Sequence, residues 1–304
     1  MWRRRWGLLL SAFLTLVLCG ASKAAALRYC SATNPITASQ QDKILQFAGI
    51  AKAELEASGS SLAIVSRSGL DLSYFGQRYS HAGVSLQGSQ NTPWSVRQLY
   101  FDCAEQKPRI FDQGLAGFVL GSDDADKGFV SMVFLPTSQA GALERSAKDN
   151  ALSLQLLATT YSANAYAFST QYQNCNQWLA ELLAVAWAEL PIQSNLRSDA
   201  QTWLASQNYS PTVFKLVWRP LLWLTAFSDL VHTDDHPTPD VEALRLSVSM
   251  PESIEAFVKA TVPGARRIEL CRTPTQVVIR RGWVPLPDDC VAGQGDQVIA
   301  LDTH

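Results

Sequence analysis

Histidine is scarce in this chain: His81, His232, His236 and His304 are the only four among 304 residues. Any imidazole chemistry must use one of those positions. Lys and Arg form no block beyond Arg3, Arg4 and Arg5, which argues against nucleic acid or an anionic lipid surface as a partner. No apolar run after the N-terminus approaches the roughly 20 residues of a membrane span, so no later membrane crossing is expected. Internal repeats and low-complexity tracts are absent, which excludes solenoids, arrays and disordered scaffolds. The nine tryptophans are explained mostly by core packing, with a few left to line a cleft.

What is present at the N-terminus reads as an export signal. Arg3 to Arg5 make a positive start, Gly7 to Cys19 is an apolar run, and Ala24-Ala25-Ala26 is a small-residue cleavage site. Cys19 follows Leu18 rather than a small residue, which argues against a lipoprotein anchor. Cleavage of residues 1–26 removes four of 25 basic residues and none of the 27 acidic ones, leaving 21 against 27, a net charge of about −6. The expected location is periplasmic or secreted. In such an oxidising compartment the five remaining cysteines should pair and leave one over. Cys30 with Cys103 and Cys271 with Cys290 is the natural division, although four cysteines allow three pairings. Cys175 is the odd one out.

Along the chain, Thr37 or Ser39 caps a helix to about Ala57, with Ile44, Phe47, Ala48, Ala51 and Leu55 on one face. Ser61 to Arg67 reads as a buried strand, Tyr79–Gln87 and Trp94–Phe101 as a hairpin, and Gly128–Phe134 as a further strand. Ala140–Ala158 and Asn174–Leu190 read as helices, the second ended before Pro191. Helical stretches are expected near Ala200–Gln207 and Pro211–Leu230, and strands near Leu244–Val248 and Thr275–Arg281. The pattern is α+β, with strands meeting in hairpins.

The chemistry-bearing pair is Cys175 and His81. Asn174 is a good N-cap, which puts Cys175 at the first helical position. There the helix dipole and unpaired N–H groups favour a thiolate, with a pKa below the free value of about 8.5. His81 shares a strand face with Tyr79, Gly83, Ser85 and Gln87, small and polar enough for a helix start to approach. A four-residue hairpin loop, Gly88–Asn91, would set Gln87 opposite Thr92 and His81 opposite Gln98, which could orient the imidazole. A one-residue slip makes the partner Arg97 or Leu99 instead. Taken singly, Cys175 also fits an inert buried cysteine and His81 a satisfied structural histidine. A weaker alternative is metal binding by His232, Asp235 and His236, in a Pro-containing acidic loop that reads equally as a solvated helix end.

His-Ala-Gly-Val at residues 81–84, a polar residue on the next strand, and Asn-Cys-Asn-Gln-Trp at 174–178 resemble the circularly permuted papain-like hydrolases. These are the permuted branch of the NlpC/P60 superfamily, which includes lecithin:retinol acyltransferase-like enzymes. More closely, the segments 79–84, 166–170 and 174–178 resemble a bacterial exported family known as domain of unknown function 2145. The resemblance implies a permuted papain-like core over residues 27–190, an antiparallel sheet packed on helices, and a helical and small β extension over 191–304. It implies Cys175 as nucleophile, His81 as base and Gln98 in the third position, where other members often carry His or an acid. The substrate would be a cell-envelope peptide, peptidoglycan or acyl group, cleaved or transferred through a thioacyl intermediate without a cofactor. The competing expectation is a catalytically silent envelope binding or assembly protein on the same fold.

Overall fold

The computed structural model describes residues 36–217, 219, 222 and 229–302. The signal span 1–26, Cys30 and His304 lie outside the described residues. Helix α1 (Ala38–Ala57) starts where Thr37 and Gln40 form a reciprocal capping box, and it buries Ile44, Phe47, Ala48, Ala51 and Leu55. Those five residues recur at the three- and four-residue steps of one helical face, which is why the helix docks there.

Strands β1 (Leu62–Arg67), β2 (His81–Leu86), β3 (Ser95–Asp102) and β4 (Lys107–Gln113) follow as a meander. A short helix α2 (Leu115–Leu120), strand β5 (Gly128–Phe134), helices α3 (Thr137–Lys148) and α4 (Asn150–Gln155), and helix α5 (Cys175–Ala188) come next. The C-terminal part supplies α6 (Leu196–Ser206), β6 (Thr212–Lys215), α7 (Thr238–Glu242), β7 (Arg245–Val248), α8 (Pro251–Thr261), β8 (Arg266–Arg272), β9 (Gln276–Arg281) and β10 (Gln297–Ala300). Eight strands form one sheet in the order β10-β9-β8-β5-β1-β2-β3-β4, and β6 and β7 form a separate pair. All pairings between these strands are antiparallel. The architecture is thus α+β, an antiparallel sheet packed against helices, with a C-terminal helical and β extension.

Alternation along the strands divides the core between the two sheet faces. Leu62, Ile64, Ala82, Val84, Leu86, Leu99 and Phe101 pack with α5, including Cys175, Trp178, Leu179 and Leu182. Ala63, Val65, Val96, Val130 and Met132 pack on the opposite side with α1 and α2. Helices on both faces leave every residue of β1 and β2 buried.

Three expectations need correction. The helix expected over Ala140–Ala158 is two helices, broken at Asp149, whose extended backbone lets its carboxylate cap α4 through Leu152 N–H. The expected helical stretch from Pro211 begins instead as strand β6, paired with β7; part of its remainder lies outside the described residues. The hairpin register also differs by two residues. Leu86 pairs with Ser95 and Val84 with Arg97, because the loop extends to Trp94, whose N–H closes on Leu86 O at 2.8 Å. Trp94 adopts φ 65° and buries its indole in the α1 and α2 side of the core, which fixes where the hairpin closes. An even shift keeps Gln98 on the face it was expected to occupy.

Candidate functional site

The start of α5 is built from hydrogen bonds, one motif residue after another. Asn174 Oδ1 accepts Gln177 N–H at 2.7 Å, the expected N-cap. Its amide nitrogen reaches Ala163 O and Ser249 O at 3.3 and 3.4 Å. Gln177 Nε2 donates to Tyr166 O and Ser169 O at 3.2 and 3.0 Å. Trp178 donates its indole N–H to Ser153 O at 3.3 Å. Asn176 Nδ2 donates to Ser80 O at 3.2 Å. Four of the five motif side chains therefore hold the helix start against its surroundings. Cys175 differs: its Sγ makes a long 4.0 Å approach to Ser80 O and takes a hydrogen bond from Tyr161.

Ser80 immediately precedes His81, so the thiol approaches the strand one residue before the imidazole. No hydrogen bond joins them. His81 stands beside Phe118 of α2 and Tyr100 of β3, with ring centroids 5.9 and 5.5 Å away, and so projects from the α2 side of the sheet. Helix α5 packs on the other side, against Ala82, Val84 and Leu86. The expectation that α5 would approach on His81's own face is therefore corrected. The larger apolar side chains of β2 offered the helix more area to bury.

The expected His81–Gln98 contact is present. His81 Nε2 meets Gln98 Oε1 at 2.5 Å, and Gln98 Nε2 donates to Gln113 Oε1 at 2.8 Å. Gln113 thus fixes the amide so that its oxygen faces the ring. His81 must then carry its proton on Nε2, leaving Nδ1 as the acceptor. Gly83 makes room for this arrangement, since a Cβ there would lie 2.7 Å from Arg97 O and 3.1 Å from Gln98 Cβ.

The electrostatics run against a thiolate–imidazolium pair. Burial, and then the charge of Arg67, push the His81 pKa down to about 3. Burial pushes the Cys175 thiol up to about 11, against opposing effects of Arg67, backbone N–H groups at the helix start and a hydrogen bond from Tyr161. The helix terminus acts in the expected direction, but desolvation outweighs it. At neutral pH both groups are uncharged.

The residues of the metal alternative each make another contact, although His232 Nε2, Asp235 Oδ1 and His236 Nδ1 are buried without a hydrogen-bond partner among the described residues. His232 stacks on Tyr172, with centroids 4.3 Å apart, and His236 Nε2 bonds Asn164 O at 2.8 Å. Asp235 Oδ2 accepts Tyr166 N–H at 2.8 Å. These contacts fasten the 232–236 loop over the segment leading to Cys175. Among the described residues no three His, Cys, Asp or Glu side chains are grouped to hold a metal ion. Cys271 and Cys290 form the expected disulfide, with Cα atoms 5.7 Å apart. Cys103 is also disulfide-bonded, its expected partner Cys30 lying outside the described residues. Cys175 is the free cysteine among the described residues, and no helix there is long and apolar enough to cross a membrane.

A family model described as "Uncharacterized protein conserved in bacteria (DUF2145)" matches residues 54–258, more than half of the chain. The chain belongs to the DUF2145 family. The matched span takes in His81, Gln98 and Cys175. Comparison with curated proteins gave no match, and comparison with solved structures gave none.

In this DUF2145 protein the decisive neighbour of the candidate pair is Arg67, which the sequence reading passed over. It lies directly opposite His81 in the β1–β2 register and its guanidinium sits over the Phe118 ring, 5.4 Å from the centroid. Its Nη1 donates to Gly121 O at 2.5 Å. Gly69 and Gly121 leave space for it, since a Cβ at either position would come within 2.4 or 2.5 Å of the guanidinium nitrogens. Glu252 is a second such residue: its Oε1 accepts the N–H groups of Arg78 and Tyr79, each at 2.8 Å. An inward arginine at the end of an apolar strand was the available signal for the first. No local pattern announced the second.

Proposed function

We propose that this DUF2145 protein is an exported, catalytically silent protein of the cell envelope with a binding or assembly role. One observation carries the reading: Cys175 and His81 share no hydrogen bond and lie on opposite sides of the sheet. Burial, which disfavours the charged form of each, agrees with it. The structural duties of Asn174, Asn176, Gln177 and Trp178 account for most of the motif without catalysis. Export is supported by the disulfide chemistry of Cys103, Cys271 and Cys290, which belongs to an oxidising compartment, together with the signal-like N-terminal sequence.

A second reading is a papain-like hydrolase or acyltransferase related to the permuted NlpC/P60 enzymes. The observation favouring it is the Gln113–Gln98–His81 chain, which presents Nδ1 as a proton acceptor. Cys175 would attack an amide or ester carbonyl and pass its proton to His81, and the leaving group would take that proton. Water or another acceptor would then release the acyl group from sulfur. This chemistry requires the helix start and the imidazole to come into contact. The rate of Cys175 alkylation across pH separates the readings: a thiol that ionises only in strong base supports the binding role, and one reactive near neutrality supports the enzyme.

A further inference from the structure

Away from Cys175, a groove of about 510 Å³ opens at the end of the sheet where α1 stops and β8 begins. Its walls include Glu54 and Ser58 of the α1 end, Arg266 and Ile268 of β8, Arg281 of β9, and Trp283 just beyond it. We infer that this groove binds a small acidic sugar, a pyranose ring carrying a carboxylate or phosphate. The inference gives the binding role above a place and a ligand class, and rests on that reading for its biological sense.

Charge and donor geometry carry the argument. The chain as a whole is net negative, yet this groove gathers positive charge. Arg281 is matched by Glu54, which its Nη2 meets at 2.9 and 2.8 Å. Arg266 has no carboxylate among the described residues. It donates from Nη2 to Ser58 O, 3.2 Å away at the C-terminal end of α1, and its guanidinium carbon lies 5.6 Å from the Phe134 ring centroid. Its Nε and Nη1 are left for a ligand. Lys259, exposed at the last turn of α8, places its ammonium 5.6 Å from the Trp283 ring centroid and likewise has no carboxylate partner among the described residues. The neighbouring Arg267 is different: alternation along β8 turns it to Glu255 and Glu269, at 2.7 and 3.1 Å.

Arg266 in the groove wall, with Lys259 outside that wall but over the half-buried Trp283 ring, suits a ligand with one anionic group and an apolar ring face. Arginine forks bind carboxylate and phosphate, and the Trp283 indole N–H, which has no acceptor among the described residues, adds a donor for a ring hydroxyl. The groove's volume falls within the range of small-molecule sites. A long polyanion is disfavoured because the acidic remainder of the surface would repel it.

The test is calorimetric titration of the mature protein with N-acetylmuramic acid and with N-acetylglucosamine 1-phosphate, using neutral N-acetylglucosamine as the control. At least one acidic sugar should bind about tenfold more tightly than the neutral one, as expected for a charge-assisted contact. The stronger of the two identifies the anionic group as carboxylate or phosphate. Arg266→Gln should reduce that affinity by a similar factor, and high salt should weaken it. Lys259→Gln, at an exposed position, should weaken it about threefold without disturbing the fold. Equal binding of the neutral sugar, no binding of either acid, or affinities unmoved by both Lys259→Gln and salt would overturn the inference. Cys175 reactivity is measured separately. A reactive thiol would remove the silent-protein reading while the titration still decided the groove.

Discussion

Cys175 should alkylate far more slowly than an ordinary thiol. A thiol at about 11, against about 8.5 for a free cysteine, holds roughly 300-fold less thiolate at neutral pH. Its low exposure, 6%, adds a steric barrier beyond that factor. Iodoacetamide labelling of the mature protein, followed by intact mass between pH 6 and pH 11, would read the rate directly. The other described cysteines, Cys103, Cys271 and Cys290, are disulfide-bonded, and peptide mapping would assign the label to Cys175. The apparent pKa should lie well above that of glutathione measured alongside, and urea should restore ordinary reactivity. Arg67→Gln should slow labelling further, because the Arg67 charge is an influence that lowers the thiol pKa. His81→Ala should leave the profile almost unchanged, since no hydrogen bond links the two side chains. Fast labelling at pH 7 that falls when His81 is removed would refute this reasoning and restore the thiolate–imidazolium pair.

Three further outcomes follow from buried groups. His81 titrates near 3 when folded and near 6.5 when unfolded, so its contribution to stability is intact above pH 6.5 and is lost as pH falls toward 3. That shift corresponds to about 5 kcal/mol at most. Urea unfolding of His81→Gln should show a shallower loss over that window, and an unchanged slope would contradict a buried neutral imidazole. Glu181 is fully buried and held by Arg197 at 2.9 Å, Gln173 at 2.6 Å and Gln201 at 2.7 Å. Arg197→Ala should cost about 3–5 kcal/mol by leaving that charge unpaired, whereas the double change Arg197→Leu with Glu181→Leu should recover much of the loss. A mild effect of Arg197→Ala in chemical denaturation would refute the reading that Arg197 holds Glu181 in the core. The Cys271–Cys290 disulfide closes a 19-residue separation, so replacing both cysteines by serine should lower stability by about 3 kcal/mol, read as a drop in melting temperature.

The sequence by itself determined whatever depends on neighbours a few residues apart. Thr37 or Ser39 announces α1, Asn174 announces α5, and the apolar spacing names the faces both helices bury. The run Gly128–Phe134 is the strand it reads as. Cysteine count marked Cys175 as the odd one out, while the Cys271–Cys290 pairing, one of three possible, was fixed by the fold. The Gln98 contact was legible even though its register was not, because a two-residue slip in a strand returns a side chain to the same face.

Tertiary structure decided everything that sums over distant neighbours. The register followed Trp94, whose burial depends on α1 and α2. The interruption at Asp149 followed from a carboxylate capping the next helix in preference to continuing the first. Most consequential is the ionisation state of Cys175 and His81. A helix terminus next to a cysteine is visible in sequence, and it favours the thiolate. The desolvation that overrides it comes from strands, helices and loops far apart in the chain, and Arg67 reaches His81 only through the pairing of β1 with β2. A local motif fixes which groups are near one another along the chain. The folded interior fixes what charge they can carry.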